Sequence, residues 1–161
     1  MYSSASTRVH GSEVTGKNMA VVIERPVEFP MVDLANIAYF PRIYDLAHRV
    51  FEASWLEICG IDYPTILEEI KVGFPVAKIS SQFKAPMRYG DMISAHISIS
   101  HLGKSSLVWE YRFFNQHNDL VWTSSQTTVC VDMDTLKPRA IPDALKAGLL
   151  NHLDGGSAGE N

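Results

Sequence analysis

The chain has 161 residues, of which 46% are hydrophobic and 20% are charged, and its formal net charge is -4. These values are typical of a single soluble domain with one core, and the acidic balance excludes a general nucleic-acid binder, whose surface would be basic. No apolar run approaches the ~18 residues of a membrane span, and no apolar signal core opens the chain. We therefore expect a cytoplasmic protein with neither a membrane nor a nucleic acid as partner.

Both ends of the chain are polar and contrast with the stretch between them. Residues 1–18 are small and polar and predict a disordered leader, whereas residues 151–161 predict a flexible tail. Residues 19–150 contain no linker or repeat and predict a single domain. The two cysteines, Cys59 and Cys130, each lie within an apolar run, which predicts buried free thiols rather than a disulfide.

The first third of the domain predicts a strand followed by a long helix. Residues 20–29 are rich in β-branched and aromatic types, as expected of a strand. Pro41 suits the first helical position, where its missing N–H is not needed. Apolar residues recur at three- and four-residue spacing from Phe40 to Ile58, and Gly60 is a natural C-terminal stop. The pattern predicts a helix of about five turns.

Four further strands follow, in which apolar and polar residues mostly alternate with the period of a half-buried strand. Short hairpin connections make such strands antiparallel. The predicted class is α+β: a five-stranded antiparallel sheet wrapped around one long central helix, closed by a short C-terminal helix near Pro142. Apolar residues expected on the outer face of the sheet predict that a second subunit covers part of it. The four strands are predicted over residues 76–86, 92–102, 107–114 and 120–133.

One carboxylate, Asp33, lies in the otherwise apolar run Phe29–Phe40 that leads into the helix. Aspartate is common just before helices as a cap or loop residue, so its position alone indicates no chemistry. Asp91 follows a glycine at the start of a strand, which predicts turn hydrogen bonds. The six histidines show no metal-binding spacing, so we expect no metal site. The sequence also contains neither the G-x-S-x-G elbow of serine hydrolases nor a glycine-rich phosphate loop.

Two local motifs flank the predicted helix and strands: DLANIAYFPRIY, which starts at Asp33, and FKAPMRYGDMI, which starts at Phe83. Together with the order of elements, over residues 20–148, they resemble the hotdog fold and, within it, the 4-hydroxybenzoyl-CoA thioesterase family. Members of that family carry a D-x-x-G loop entering the long helix and a Pro-x-x-Tyr-x-Asp turn entering the third strand. The family's glycine is Asn36 here, which tolerates left-handed backbone better than other non-glycine residues. The acidic residue that many relatives carry two positions before the aspartate is Met31 here.

The resemblance implies an acyl-CoA thioester hydrolase without a metal or organic cofactor. Asp33 would be either the nucleophile, forming a mixed anhydride, or the general base on a water molecule. The backbone N–H of Phe40, at the positive end of the helix dipole, would polarise the thioester carbonyl, and Gly73 would supply a further backbone contact. The family also implies a homodimer or a homotetramer built as a dimer of dimers, with each active site at a subunit interface.

The phosphates of coenzyme A would be bound, by family position, through Lys84, Arg88, Lys104 and Ser105, although lysines also keep strand edges soluble. Two alternatives use the same scaffold. A thioesterase acting on acyl carrier proteins would retain Asp33 without a nucleotide-phosphate site. A non-catalytic acyl-thioester or lipid-binding protein would retain its ligand without turnover. The sequence leaves the acyl group open.

Overall fold

One long helix packs against a five-stranded antiparallel sheet in the computed structural model, which describes residues 20–155. This is the α+β layout that the sequence predicts. The strands are β1 (Val21–Pro26), β2 (Val72–Gly73), β3 (Val76–Phe83), β4 (Met92–Leu102), β5 (Ser106–Phe114), β6 (Leu120–Val129) and β7 (Val131–Asp132). The helical elements are a 3-10 turn (Phe29–Met31), α1 (Phe40–Cys59), a short α2 (Tyr63–Thr65) that continues as a π-helical turn (Ile66–Ile70), and α3 (Asp143–Asn151).

Helix α1 is stabilised by burial of one apolar stripe, in which Trp55 is fully buried. The helix ends at Gly60, whose φ of 68° is left-handed and whose N–H donates to the Leu56 carbonyl at 2.9 Å. The predicted end is therefore confirmed. The start differs by one residue, because Phe40 is the first helical residue and Pro41 the second. The N–H of the second residue also lacks an intrahelical acceptor, so proline is tolerated there equally well.

The main sheet has the strand order β1-β4-β5-β6-β3, with every neighbouring pair antiparallel. Alternate side chains of β4 and β5 face α1 and are buried, as their period of two predicts. The core includes an edge-to-face contact between Trp55 of α1 and Trp109 of β5, with ring centroids 5.4 Å apart. Strand β3 lies at one edge of the sheet that the described residues form, where β6 is its only neighbour.

The last predicted strand, residues 120–133, is two strands in the structure. The Cys130 N–H donates to the carbonyl of Ser105 at 2.7 Å, and its own carbonyl accepts from Arg139 N–H at 2.9 Å. The chain then enters β7, which pairs with β2 in a separate two-stranded ladder. Long-range backbone bonds of this kind leave no signal in the local alternation, so the sequence does not show the break.

The packed domain extends beyond residue 150, where the sequence predicts its end. Helix α3 includes Asn151, Leu153 forms a parallel bridge to Ile99, and the Asp154 N–H donates to the Ile99 carbonyl at 2.8 Å. Residues 151–154, the start of the predicted tail, therefore contact the domain through their backbone. The predicted leader, residues 1–18, and the remainder of the tail lie outside the described residues.

Both cysteines are free thiols, as predicted. Burial raises the pKa of Cys59 and that of Cys130 to about 11, so both thiols remain protonated near neutral pH. Across residues 20–155, no helix has the length and apolar character needed to cross a membrane.

The outer face of the sheet is mainly polar, contrary to the apolar face that the sequence predicts. The Glu110 carboxylate lies there and accepts hydrogen bonds from Ser100 Oγ at 2.8 Å and Ser125 Oγ at 3.0 Å. The prediction fails because the apolar members of each alternating pair turn toward α1. Exposed apolar side chains occur instead along the edge strand β3, where the register places Ile79 and Phe83 on the α1 side of the sheet.

Candidate active site

The loop that carries Asp33 is a tight hairpin between the 3-10 turn and α1. Val32 and Ala38 form an antiparallel bridge across its base, and the Asp33 N–H donates to the Ile37 carbonyl at 3.1 Å. The Ala35 N–H donates to Asp33 Oδ1 at 2.8 Å, which fixes the orientation of the carboxylate. The second carboxylate oxygen accepts no hydrogen bond from residues 20–155. The hairpin thus presents an exposed carboxylate with one free oxygen immediately before the helix.

Asn36 adopts the left-handed conformation expected where the resemblance places a glycine, with φ at 57°. Its side-chain oxygen accepts a hydrogen bond from the Tyr89 N–H at 3.2 Å, and the nearby Ala38 N–H donates to the Met87 carbonyl at 2.7 Å. The two sequence motifs are therefore in direct contact in the structure. Asparagine adds an interaction that glycine lacks, which compensates in part for the less favourable backbone conformation.

One backbone N–H at the N-terminus of α1 has no partner within residues 20–155. Its N-cap residue, Tyr39, provides no side-chain cap, Pro41 has no N–H, and the Arg42 N–H donates to the Tyr39 carbonyl at 2.8 Å. The Phe40 N–H has no acceptor among the described residues. A free N–H at the positive end of a helix dipole suits an oxygen that gains negative charge.

A cavity of about 220 Å³ lies between α1 and the strands β3, β5 and β6. Its lining is mostly aromatic and apolar, as is usual for sites that bind small molecules. It is lined by Tyr44, His48, Phe51, Tyr63, Phe74, Pro75, Val76, Ile79, Tyr111, Gln126 and Thr128.

Gly73 directly precedes Phe74, a residue of the cavity lining whose N–H donates to the Tyr63 hydroxyl at 3.1 Å. Phe74 packs on Trp55 with ring centroids 4.7 Å apart. The distance along the helix from Phe40 to Trp55 is about 22 Å at the usual helical rise. A single chain therefore does not bring Gly73 together with the Phe40 amide.

A larger concavity, of about 780 Å³, lies between β1, the 3-10 turn and the solvent side of α1. Its charged side chains are of both signs, including Arg42, Asp45, Arg49 and Glu52. Arg42 and Asp45 already pair with each other at 3.1 Å. Such a surface is well solvated, and its size alone does not make it a site.

The four residues predicted to contact the phosphates of coenzyme A fall into two separate groups. Lys84 and Arg88 are exposed in the loop between β3 and β4, close to the Asp33 hairpin. Lys104 and Ser105 lie in the turn at the far end of β4, roughly 33 Å away along that strand. Within one chain, the four residues therefore do not form a single phosphate site.

Asp91 makes the turn hydrogen bonds that the sequence predicts. Its Oδ2 accepts from the Arg88 N–H at 2.8 Å, and its Oδ1 accepts from Gln116 Nε2 at 2.9 Å. These bonds position the loop that contacts Asn36. In residues 20–155, no group of three or more histidine, cysteine or acidic side chains is arranged to hold a metal ion.

A five-stranded antiparallel sheet packed on one long helix is the hotdog fold. The chain belongs to the thioesterase-like superfamily, whose sequence profile matches residues 27–149. The expected resemblance to hotdog acyl-CoA thioesterases is thereby confirmed.

Individual relatives support the same assignment. The chain is 27% identical over 94 residues to a 1,4-dihydroxy-2-naphthoyl-CoA hydrolase of Crocosphaera subtropica, a match covering 58% of this chain and 68% of that protein. It is 35% identical over 77 residues to the acyl-CoA thioester hydrolase YbgC of Escherichia coli, covering 48% of this chain and 58% of YbgC. A solved gentisyl-coenzyme A thioesterase superimposes with a TM-score of 0.70 at 26% identity, covering 78% of this chain and 98% of that one.

Proposed function

We propose that the protein hydrolyses acyl-CoA thioesters, with Asp33 as the catalytic carboxylate and the Phe40 N–H polarising the thioester carbonyl. The observation that carries this proposal is the pairing of an oriented carboxylate with an unpartnered amide at the helix N-terminus. A thiolate is a good leaving group, so hydrolysis needs mainly carbonyl polarisation and an oxygen nucleophile. The free oxygen of Asp33 can attack directly or remove a proton from water.

The arrangement of the edge strand supports a site shared between two subunits. Val76, Ile79 and Phe83 of β3 are each close to half exposed, although all are apolar. Antiparallel pairing of β3 with the same strand of a second copy would cover them and would continue the sheet. The cavity lies at the Val76 end of β3, and the Asp33 hairpin lies at the Phe83 end, where Met87 contacts it.

In such a homodimer, the Val76 end of one strand lies beside the Phe83 end of the other. Asp33 of the partner subunit then lies near the cavity and Gly73 of this chain, which removes the separation found within one chain. A homotetramer would be a dimer of these dimers. Lys84 and Arg88, at the same end as the hairpin, are the preferred contacts for the coenzyme A phosphates. Two free thiols are consistent with action in the cytoplasm.

The decisive experiment is thiol release from a panel of aromatic and aliphatic acyl-CoAs by the wild type, Asp33→Asn and Asp45→Asn. Asparagine at residue 33 keeps the oxygen that accepts the Ala35 N–H but loses the carboxylate. We expect a loss of about a hundredfold or more for Asp33→Asn, because a catalytic carboxylate is removed. Asp45→Asn, an exposed control on α1, should change the rate less than threefold.

The opposite results would identify the alternatives. If the wild type binds acyl-CoA without releasing thiol, the protein is a binding protein. If it hydrolyses acyl-carrier-protein thioesters and not acyl-CoAs, Lys84 and Arg88 are ordinary surface charges and do not bind the phosphates of coenzyme A. Label transferred from ¹⁸O-water into Asp33 after a single turnover would require the covalent route, in which water attacks the carboxyl carbon of Asp33 in the mixed anhydride.

A further inference from the structure

The turn between β5 and β6 contacts the loop between β3 and β4 through one side chain, that of Gln116. Its Nε2 donates to Asp91 Oδ1 at 2.9 Å, and its Oε1 accepts from the Met92 N–H at 3.2 Å. A backbone N–H only donates and a carboxylate only accepts, so both partners together require a side chain with one donor group and one acceptor. An amide has this combination, and the contact therefore uses the specific chemistry of glutamine.

The turn that carries Gln116 is fixed by its own hydrogen bonds. Asn115 Oδ1 accepts from the N–H groups of His117 and Asp119, each at 3.0 Å, and the Asn115 N–H donates to the Asp119 carbonyl at 3.0 Å. Asn118 adopts left-handed backbone, with φ at 63°, which asparagine tolerates. Gln116 therefore projects from a turn whose internal bonds do not depend on the loop that it contacts.

Asp91 connects this contact to the rest of the loop. Its other oxygen, Oδ2, accepts from the Arg88 N–H at 2.8 Å, and its backbone carbonyl accepts from the Val27 N–H at 2.8 Å. The Gly90 N–H donates to the Val27 carbonyl at 3.1 Å. The carboxylate of Asp91 thus joins Gln116 on one side to the Arg88 backbone on the other.

The same loop holds the hairpin that carries Asp33. The Ala38 N–H donates to the carbonyl of Met87, whose side chain is buried, and the Tyr89 N–H donates to Asn36 Oδ1. Asn36 and Ala38 both belong to the hairpin, so a displacement of the loop would move it. A shift of about 1 Å in a catalytic group can lower a reaction rate by about a hundredfold.

We propose that Gln116 and Asp91 form a positioning pair, which sets the loop between β3 and β4 against the hairpin and so holds the Asp33 carboxylate in its reactive position. In this role neither residue contacts the substrate, and both act through the loop. The inference rests on the proposed function, in which Asp33 reacts with the thioester. It assigns a role to the turn between β5 and β6, which lies outside both sequence motifs.

The test exchanges the donor and the acceptor of the pair. Gln116→Glu alone places two carboxylates opposite each other, and Asp91→Asn alone places two amide nitrogens opposite each other, because the second oxygen of each side chain still accepts from a backbone N–H. The double variant Gln116→Glu/Asp91→Asn restores the hydrogen bond in the reverse direction without changing the net charge. Asp119→Asn is the matched control, since it makes the same substitution in the same turn at a side chain that contacts Asn115.

Two quantities are measured at about pH 8, above the ordinary titration range of histidine, because His117 Nε2 lies 3.5 Å from Gln116 Nε2. The first is kcat for thiol release, determined together with KM, on the acyl-CoA that the wild type hydrolyses fastest. The second is hydrogen exchange of the Ala38 and Tyr89 amides followed by NMR, which reports the contact between loop and hairpin without requiring turnover. Exchange of the Tyr111 amide, in the middle of β5, reports global stability.

We expect Gln116→Glu and Asp91→Asn each to lower kcat roughly tenfold and to speed exchange at Ala38 and Tyr89 by a similar factor. The double variant should return both quantities close to the values of the wild type, and Asp119→Asn should change neither. An unchanged kcat in either single variant, or a double variant as slow as the single ones, overturns the inference. Exchange that becomes equally fast at Tyr111 also overturns it, because the loss is then one of global stability.

The two measurements separate this inference from the proposed function. Thiol release at the same rate in all variants overturns the positioning pair and retains the hydrolase. If the wild type releases no thiol from any acyl-CoA, the hydrolase is overturned and exchange alone decides on the pair. Faster exchange at Ala38 in the single variants, restored in the double variant, then retains the pair as the support of the hairpin, whereas unchanged exchange overturns it.

Discussion

Gly148, in α3, lies where this helix crosses the C-terminal end of α1. A Cβ atom at this position would overlap the carbonyl oxygen of Ile58 and would lie 2.9 Å from the Cα of Cys59. Both are backbone atoms of α1, which cannot rotate away as the end of a side chain can. We therefore predict that Gly148→Ala destabilises the protein, although alanine is the better helix former.

The magnitude follows from two opposing effects. Replacing glycine by alanine inside a helix stabilises it by about 1 kcal/mol. Relieving the overlap requires α3 to move from α1, which disturbs Leu145 and Leu149, both fully buried. Overpacking costs about 1–3 kcal/mol, and a backbone obstacle places this site at the upper end. The net loss is about 2 kcal/mol, which corresponds to a decrease in Tm of about 4–8 °C.

Urea unfolding followed by tryptophan fluorescence measures this difference at one fixed protein concentration, because the proposed association of subunits would add to stability. Ala147→Gly is the matched control in the same helix, since Ala147 is exposed and should lose only about 1 kcal/mol, from propensity. A Gly148→Ala protein as stable as the wild type would show that the helices are not in close backbone contact, and the reasoning would be refuted.

Three other predictions follow from single contacts. Thr128→Val should lower the free energy of unfolding by about 1–3 kcal/mol in urea, because it removes the acceptor 2.9 Å from the buried Trp109 Nε1. Asn36→Ala should reduce thioester turnover more than Asn36→Gly, because alanine combines loss of the hydrogen bond with a left-handed backbone that costs about 1–2 kcal/mol; equal rates would contradict this. Burial and then Arg112 lower the pKa of His96 from its ordinary 6.5, so the unfolded state binds this proton more strongly. The stability that His96 contributes is therefore fully present above its unfolded pKa and declines as the pH falls toward its folded pKa. In urea unfolding measured between about pH 7.5 and about pH 5, which spans the usual titration range of histidine, His96→Gln should show a smaller decline than the wild type.

Local periodicity was sufficient to predict the elements that position the site. The apolar spacing from Phe40 to Ile58 gives α1, Gly60 gives its end, and the alternation of β4 and β5 gives the buried face, because each depends on neighbours in sequence. Asn36 could be placed in left-handed backbone because few residue types tolerate it. The hairpin around Asp33 was predicted only through family resemblance.

Features that depend on distant parts of the chain were not predictable in the same way. The change of pairing partner after Cys130 depends on β2, which is distant in sequence, and the distance between Lys84 and Lys104 follows from the length of β4. The polar character of the cavity did leave a signal, since the inward positions of β6 change from apolar to Ser124 and Gln126. The alternation alone does not show that these two side chains are hydrogen-bonded to each other, with Gln126 Nε2 donating to Ser124 Oγ.

The separation of about 22 Å along α1 between Phe40 and Trp55, on which Phe74 packs, has a genetic consequence. If each site combines the hairpin of one subunit with the cavity of the other, two inactive variants can complement one another. A chain carrying Asp33→Asn still supplies an intact cavity, and a chain with a blocked cavity still supplies Asp33. Mixed dimers of the two contain one doubly defective site and one wild-type site, so co-expression restores activity that neither variant has alone.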